Sequence, residues 1–123
     1  MAIKDLTHIH MHLFLCNGGS CKAKGAEEST LRIRSLLSEK GISDRVHTTI
    51  TLCNGRCNDG PVVISQPDGI WFKEITADAC MAFVNSYIMN GETPESIRLY
   101  KYGDAVVNTA EIKVGKAQVK KTK

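Results

Sequence analysis

Residues 8–21 read His-Ile-His-Met-His-Leu-Phe-Leu-Cys-Asn-Gly-Gly-Ser-Cys, and the fold turns on this stretch. Ile9, Met11, Leu13 and Leu15 alternate with His8, His10, His12 and Phe14, which predicts a strand from His8 to Leu15. The strand delivers the chain to Cys16, and Asn-Gly-Gly then forces a loop that closes at Cys21. A second passage repeats the design. Arg45 to Leu52 predicts a strand with Val46, Ile50 and Leu52 on one side, and it ends in Cys53-Asn54-Gly55-Arg56-Cys57. Between the two, residues 25–40 predict a helix with Ala26, Thr30, Ile33 and Leu37 on one face and Leu36 beside them. Glu27 and Glu28 favour its start, Lys40 its end, and Gly41 is the expected C-cap. A strand–helix–strand passage of this kind forms a crossover with parallel strands. Both cysteine pairs then fall just past the carboxyl ends of neighbouring strands, at one edge of the sheet, despite the 31 residues between them.

Downstream, Pro61 to Ser65 and Ile70 to Ile75 flank Gln66-Pro67-Asp68-Gly69. Proline pre-sets such a turn and glycine supplies a positive φ, so a hairpin is expected. A second helix is predicted from Thr76, its N-cap, to Asn90, with Gly91 closing it and Cys80, Phe83, Val84, Tyr87 and Ile88 as the buried stripe. One of Trp71 and Phe72 should face outward and the other inward. Beyond Pro94 the pattern weakens, and residues 104–119 predict no firm element. The fold class is therefore α/β: a mixed sheet with a strand–helix–strand unit followed by a hairpin and a helix.

A chain of 123 residues with 42% apolar and 24% charged residues is that of one globular domain. The net charge of +3 is unevenly placed. Residues 105–123 carry five lysines and one glutamate, leaving residues 1–104 slightly acidic, with eleven cations against twelve anions. The division is thus a domain over 1–104 and a solvated basic tail over 105–123. No nucleic-acid-binding motif and no stretch long enough to cross a bilayer is present. The first residues lack the apolar segment of a secretory signal, so a reducing, cytoplasmic setting is expected, where close cysteines read as metal ligands before disulfides.

Four thiolates gathered at one edge make a soft, anionic cage suited to an iron–sulfur cluster or to zinc. Glycines in both loops let backbone N–H groups approach the sulfurs. A plant-type iron–sulfur loop needs a further cysteine where this chain has Lys24. A Rieske centre needs two histidines, and neither loop holds one. The Cys-x-x-Cys of thiol oxidoreductases is absent. The spacing alone leaves iron–sulfur and zinc both open. No acid–base pair or nucleophile constellation is legible, so the chain does not read as an enzyme.

Several motifs in order carry a family resemblance: His12-Leu13-Phe14-Leu15-Cys16, Gly19-Ser20-Cys21, Lys24-Gly25-Ala26-Glu27, Cys53-Asn54-Gly55-Arg56-Cys57, Gly60-Pro61-Val62-Val63, Pro67-Asp68-Gly69-Ile70-Trp71 and Gly91-Glu92-Thr93-Pro94. Through them the chain resembles the thioredoxin-like [2Fe–2S] ferredoxins and the related cluster-bearing subunit of NADH-oxidising respiratory and hydrogenase complexes. The first cysteine loop is shorter than in free ferredoxins of that family. The resemblance implies a thioredoxin-like fold, a [2Fe–2S] cluster held by Cys16, Cys21, Cys53 and Cys57, and commonly a homodimer. It also implies one-electron transfer to a redox partner protein, a reductase or an oxidoreductase subunit. An accessory subunit of a larger redox or cofactor-biosynthesis complex and a structural zinc module for protein interaction are the alternatives. Two ferric ions, two sulfides and four thiolates sum to −2, and reduction by one electron gives −3. Lys22, Lys24, Arg56 and the start of the first predicted helix are the positive groups expected to balance that charge.

Cys80 belongs to an apolar helix face and reads as core. His8, His10 and His12 share a strand face, with His47 on a possible neighbour, which raises a second metal site against the plainer reading of packed surface histidines. Gly60-Pro61 occupies the place before a strand where thioredoxin folds often hold a cis proline.

Overall fold

The structure is a computed structural model and describes residues 4–105 and 107–109. The strands are β1 (Met11–Cys16), β2 (Val46–Thr51), β3 (Val63–Gln66), β4 (Ile70–Phe72) and β5 (Arg98–Lys101). They form one mixed sheet in the order β2-β1-β3-β4-β5. β1 and β2 run parallel, with Met11 beside Val46 and Cys16 beside Thr51, while every other pairing is antiparallel. The chain passes from β1 to β2 through the short helix α1 (Gly19–Ala23) and the long helix α2 (Ala26–Glu39). The expected crossover is therefore present, and β1 and β2 end at the same rim.

α2 forms where its apolar positions recur at helical spacing. Ala26, Thr30, Ile33, Leu36 and Leu37 are buried, Glu27 and Glu28 stand in the first turn, and Gly41 follows with φ +69°. Its inner face meets Leu13, Leu15, Val46 and Val63 of the sheet and Cys80, Phe83, Val84 and Tyr87 of the last helix in one core. Phe72, Phe83 and Tyr87 interlock at its centre, with ring centroids 4.7–5.8 Å apart. That last helix tightens and then widens along its length. A 3-10 turn (Ala77–Ala79) leads into α3 (Cys80–Phe83), which continues as a π-helix (Val84–Met89).

The hairpin expected at Gln66–Gly69 joins β3 to β4. Gly69 has φ +70° and its N–H bonds Ser65 O at 2.8 Å. Gly60–Pro61 and Gln66–Pro67 are both cis. Tyr87 fastens the hairpin to the helix: its hydroxyl donates to Asp68 Oδ2 at 2.6 Å and lies 2.7 Å from the fully buried Ser65 Oγ. Phe72 is buried and Trp71 half-buried on the opposite face, as strand alternation requires. By register, Thr49, Phe14, Ile64, Trp71 and Tyr100 make one row across that opposite face.

Five expectations need correction. The first strand starts at Met11; His8 lies in a 3-10 turn (Leu6–His8) capped by Asp5, which accepts from Thr7 N at 3.0 Å. The glycines after Cys16 do not prolong a loop, because Gly18 O accepts from Lys22 N and α1 begins at once. Ile50 and Leu52 do not share the burial of Val46; they are 50% and 82% exposed, since β2 is an edge strand. Thr76 stands at the cap position of the last helix but makes no side-chain cap bond. β5 was not foreseen, and its pairing with β4 completes the sheet. The tail expected over 105–123 lies largely outside the described residues.

Candidate metal centre

Both cysteine loops arrive where the parallel pair ends. Cys16 is the last residue of β1, Cys21 lies inside α1, and Cys53 follows β2. Cys16, Cys21 and Cys53 line one pocket together with Gly18, Ser20, Asn54 and Arg56. Cys57 opens a 3-10 turn (Cys57–Asp59); its side chain lies outside what the structure describes. Cys16 and Cys21 are buried, and Cys53 is exposed. Of the described thiols at the site only Cys53, in the second loop, is exposed, with exposed Leu52 beside it, while Gly19 and Ser20 are the exposed residues of the first loop.

Two glycines let the loops close on each other. A Cβ on Gly18 would lie 2.7 Å from Cys53 Cα and 2.8 Å from its nitrogen, and one on Gly60 would lie 2.7 Å from Cys21 Sγ. Any larger residue at either place would push a cysteine away.

The sulfurs are met by N–H groups. Gly55 N–H donates to Cys53 Sγ at 3.2 Å. Burial pushes the Cys16 thiol up, but N–H groups of Gly18 and Asn54, with the Asn54 side chain and Cys21, together outweigh it and the net shift is downward. Cys21 is pushed up to about 11, chiefly by burial and then by the charge of Cys16 and Cys53, with the Val62 N–H opposing. Donors aimed at sulfur stabilise thiolate, and a metal bound there would remove the protons outright.

The balancing cations are placed differently from expectation. Arg56 reaches the pocket, and its guanidinium lies 2.8 Å from Asp59, a carboxylate 2% exposed. The helical residues lining the pocket, Ser20 and Cys21, belong to α1, and Ala26, the first residue of α2, packs in one buried cluster with Cys16 and Cys21. Lys22 and Lys24 are exposed. Asp59 goes unmarked in the sequence, and Asn54 and Gly60 stand in its motifs without the contacts they make here. Asp59 stands three residues after Arg56, a pairing distance in a helical turn, and that was its only signal.

Among the described residues, no group of three or more His, Cys, Asp or Glu side chains stands ready for a metal ion. The histidine row does not form, because His8 leaves the strand and pairs with Asp5 at 3.6 Å. His12 instead lies 4.7 Å from His47, ring to ring, shares a 2.6 Å hydrogen bond with Thr49 Oγ1 and stacks on Phe14. Burial, then the neighbouring His47, lower its pKa. Cys80 is fully buried and donates to Thr76 O at 3.2 Å, as a core thiol.

No family model matches the chain. A protein of Priestia megaterium described as a candidate 2Fe–2S ferredoxin is 41% identical over 91 residues, covering 74% of this chain and 71% of the relative. A 2Fe–2S ferredoxin of Clostridium pasteurianum is 32% identical over 96 residues, covering 72% and 94%. Among solved structures, a thioredoxin-like [2Fe–2S] ferredoxin from Aquifex aeolicus superposes with a TM-score of 0.72 at 24% identity, over 78% of this chain and 96% of that one. The mixed sheet described above is thus a thioredoxin-like fold.

Proposed function

This chain belongs to the 2Fe–2S ferredoxin family, and from that premise we propose that Cys16, Cys21, Cys53 and Cys57 hold its single [2Fe–2S] cluster. It is an electron-transfer protein rather than an enzyme, and the cluster supplies the one-electron chemistry. The observation that carries the ligand assignment is the closure of the two loops through Gly18 and Gly60, which puts three cysteines of both pairs on one pocket. Backbone N–H groups facing those sulfurs are what an anionic iron–thiolate centre requires.

The chain's own residues perform three tasks. Buried Cys16 and Cys21 anchor the site to β1 and α1. The N–H groups of Gly18, Asn54, Gly55 and Val62 offset thiolate charge without adding a mobile cation. The exposed Cys53 loop offers the shortest route for an electron, so a redox partner protein docks there. We assign the carrier to the cytoplasm, a reducing setting in which close cysteines serve as metal ligands. The homodimer implied by the family resemblance would use the half-buried Phe14, Trp71 and Tyr100 row.

Anaerobic purification followed by a visible spectrum tests the ligand set. The wild-type protein and Cys80→Ala should be red-brown and bleach with dithionite. Alanine at Cys16, Cys21, Cys53 or Cys57 should each abolish the colour. A coloured, fully loaded Cys57→Ala protein would overturn the assignment.

A further inference from the structure

Asp59 stands two residues past Cys57, nearly sealed from solvent, and its two oxygens reach in different directions. Oδ2 accepts from Arg56 Nε at 3.0 Å and lies 2.8 Å from its Nη2. Oδ1 accepts from the Thr109 hydroxyl at 2.9 Å. The Asp59 carbonyl accepts from Glu74 N at 2.9 Å, which holds the backbone as well. Thr109 follows β5 and is itself tied down. Asn108 N bonds Leu99 O, and the Asn108 side chain bonds the carbonyls of Glu95 and Arg98, each at 2.8 Å. One carboxylate therefore joins the end of the sheet to the second cysteine loop.

Arg56 lines the pocket that holds Cys16, Cys21 and Cys53. An arginine acting there as a lone cation would favour the added electron strongly, because Coulomb attraction grows as the surroundings dry out. Paired with a buried carboxylate, it keeps its planar N–H donors and its orientation while contributing little net charge. The carboxylate in turn is stable in its buried place only because the guanidinium and the hydroxyl satisfy it. The two residues act as one unit.

We propose that Asp59 is a positioning residue for the redox site: it holds Arg56 against the cysteine pocket as a compensated ion pair and so keeps the reduction potential below the value a lone arginine would set. This rests on the four-cysteine cluster proposed above.

Two measurements test it. In the cluster-loaded protein, protein-film voltammetry compares Asp59→Asn, Arg56→Gln and the double variant. The midpoint should rise in Asp59→Asn, fall in Arg56→Gln and return close to the wild-type value in the double variant. An unchanged or lowered midpoint in an Asp59→Asn protein with a normal visible spectrum overturns the proposal. In the metal-free protein, nitrogen-edited NMR follows solvent exchange of the Arg56 Nε–H. Slow exchange in the wild type that becomes fast in Asp59→Asn supports the pair. Wild-type exchange as fast as that of free arginine overturns it whether or not the variants fold. A wild-type protein that takes up no iron would refute the cluster and the potential-setting role together, while the exchange rate still decides whether the pair exists.

Discussion

Gly18→Ala strikes the contact through which the two cysteine loops meet. The new Cβ would stand 2.7, 2.8 and 2.9 Å from Cys53 Cα, N and Cβ. Two of these are backbone atoms, so no rotamer change relieves the crowding. Gly18 has φ −65° and ψ 170°, extended backbone open to any residue, so its conformation is not at issue. Removing a glycine's freedom from the unfolded chain would by itself stabilise by about 0.4–1 kcal/mol. Overpacking works against this at about 1–3 kcal/mol, which leaves a net loss of about 1–2 kcal/mol. Gly19→Ala is the control. Nothing lies within 4 Å of its Cβ, and as the first residue of α1 it should gain about 0.5–1 kcal/mol. Urea unfolding of the metal-free proteins should show the two midpoints moving in opposite directions, and only Gly18→Ala should lose iron from the loaded form. A Gly18→Ala protein as stable as Gly19→Ala and holding its full iron would refute the close approach.

Tyr87→Phe removes the hydroxyl between Ser65 and Asp68 and leaves the fully buried Ser65 without that partner. A loss of about 1–2 kcal/mol in urea unfolding is expected, and a variant as stable as wild type would contradict the role given to this bond. Burial above all pushes the Cys80 thiol up to about 11 from its ordinary value of 9.0. The fold holds the neutral thiol, so this stabilisation is whole below pH 9.0 and is lost as pH rises towards about 11, by at most about 1.4 kcal/mol per unit. Metal-free wild type should therefore lose stability more steeply than Cys80→Ala across that window, and parallel curves would count against it.

The parts of the fold legible in the sequence were those whose burial is periodic. Leu13 and Leu15, then Ile33, Leu36 and Leu37, then Phe83, Val84 and Tyr87 all lie in one core, because alternation and helical spacing report directly on a covered face. β5 escaped because Arg98, Leu99, Tyr100 and Lys101 bury one residue in four, and its place comes from pairing with β4 rather than from a pattern of its own. Ile50 and Leu52 misled for the opposite reason: their side chains alternate with the strand, but nothing described covers the end of an edge strand. At the site, the cysteines announced themselves by type and spacing. Their surroundings did not. The approach of Gly18 to Cys53 and of Gly60 to Cys21, and the reach of Thr109 to Asp59, join residues far apart in sequence, and local patterns carry no trace of such contacts.

Mössbauer spectroscopy of protein grown on isotope-enriched iron addresses the ligand assignment most directly. The account predicts a pair of coupled ferric sites with all-sulfur tetrahedral coordination, of which one alone becomes ferrous on reduction. An iron site with nitrogen or oxygen ligands, or a single uncoupled iron, would contradict it.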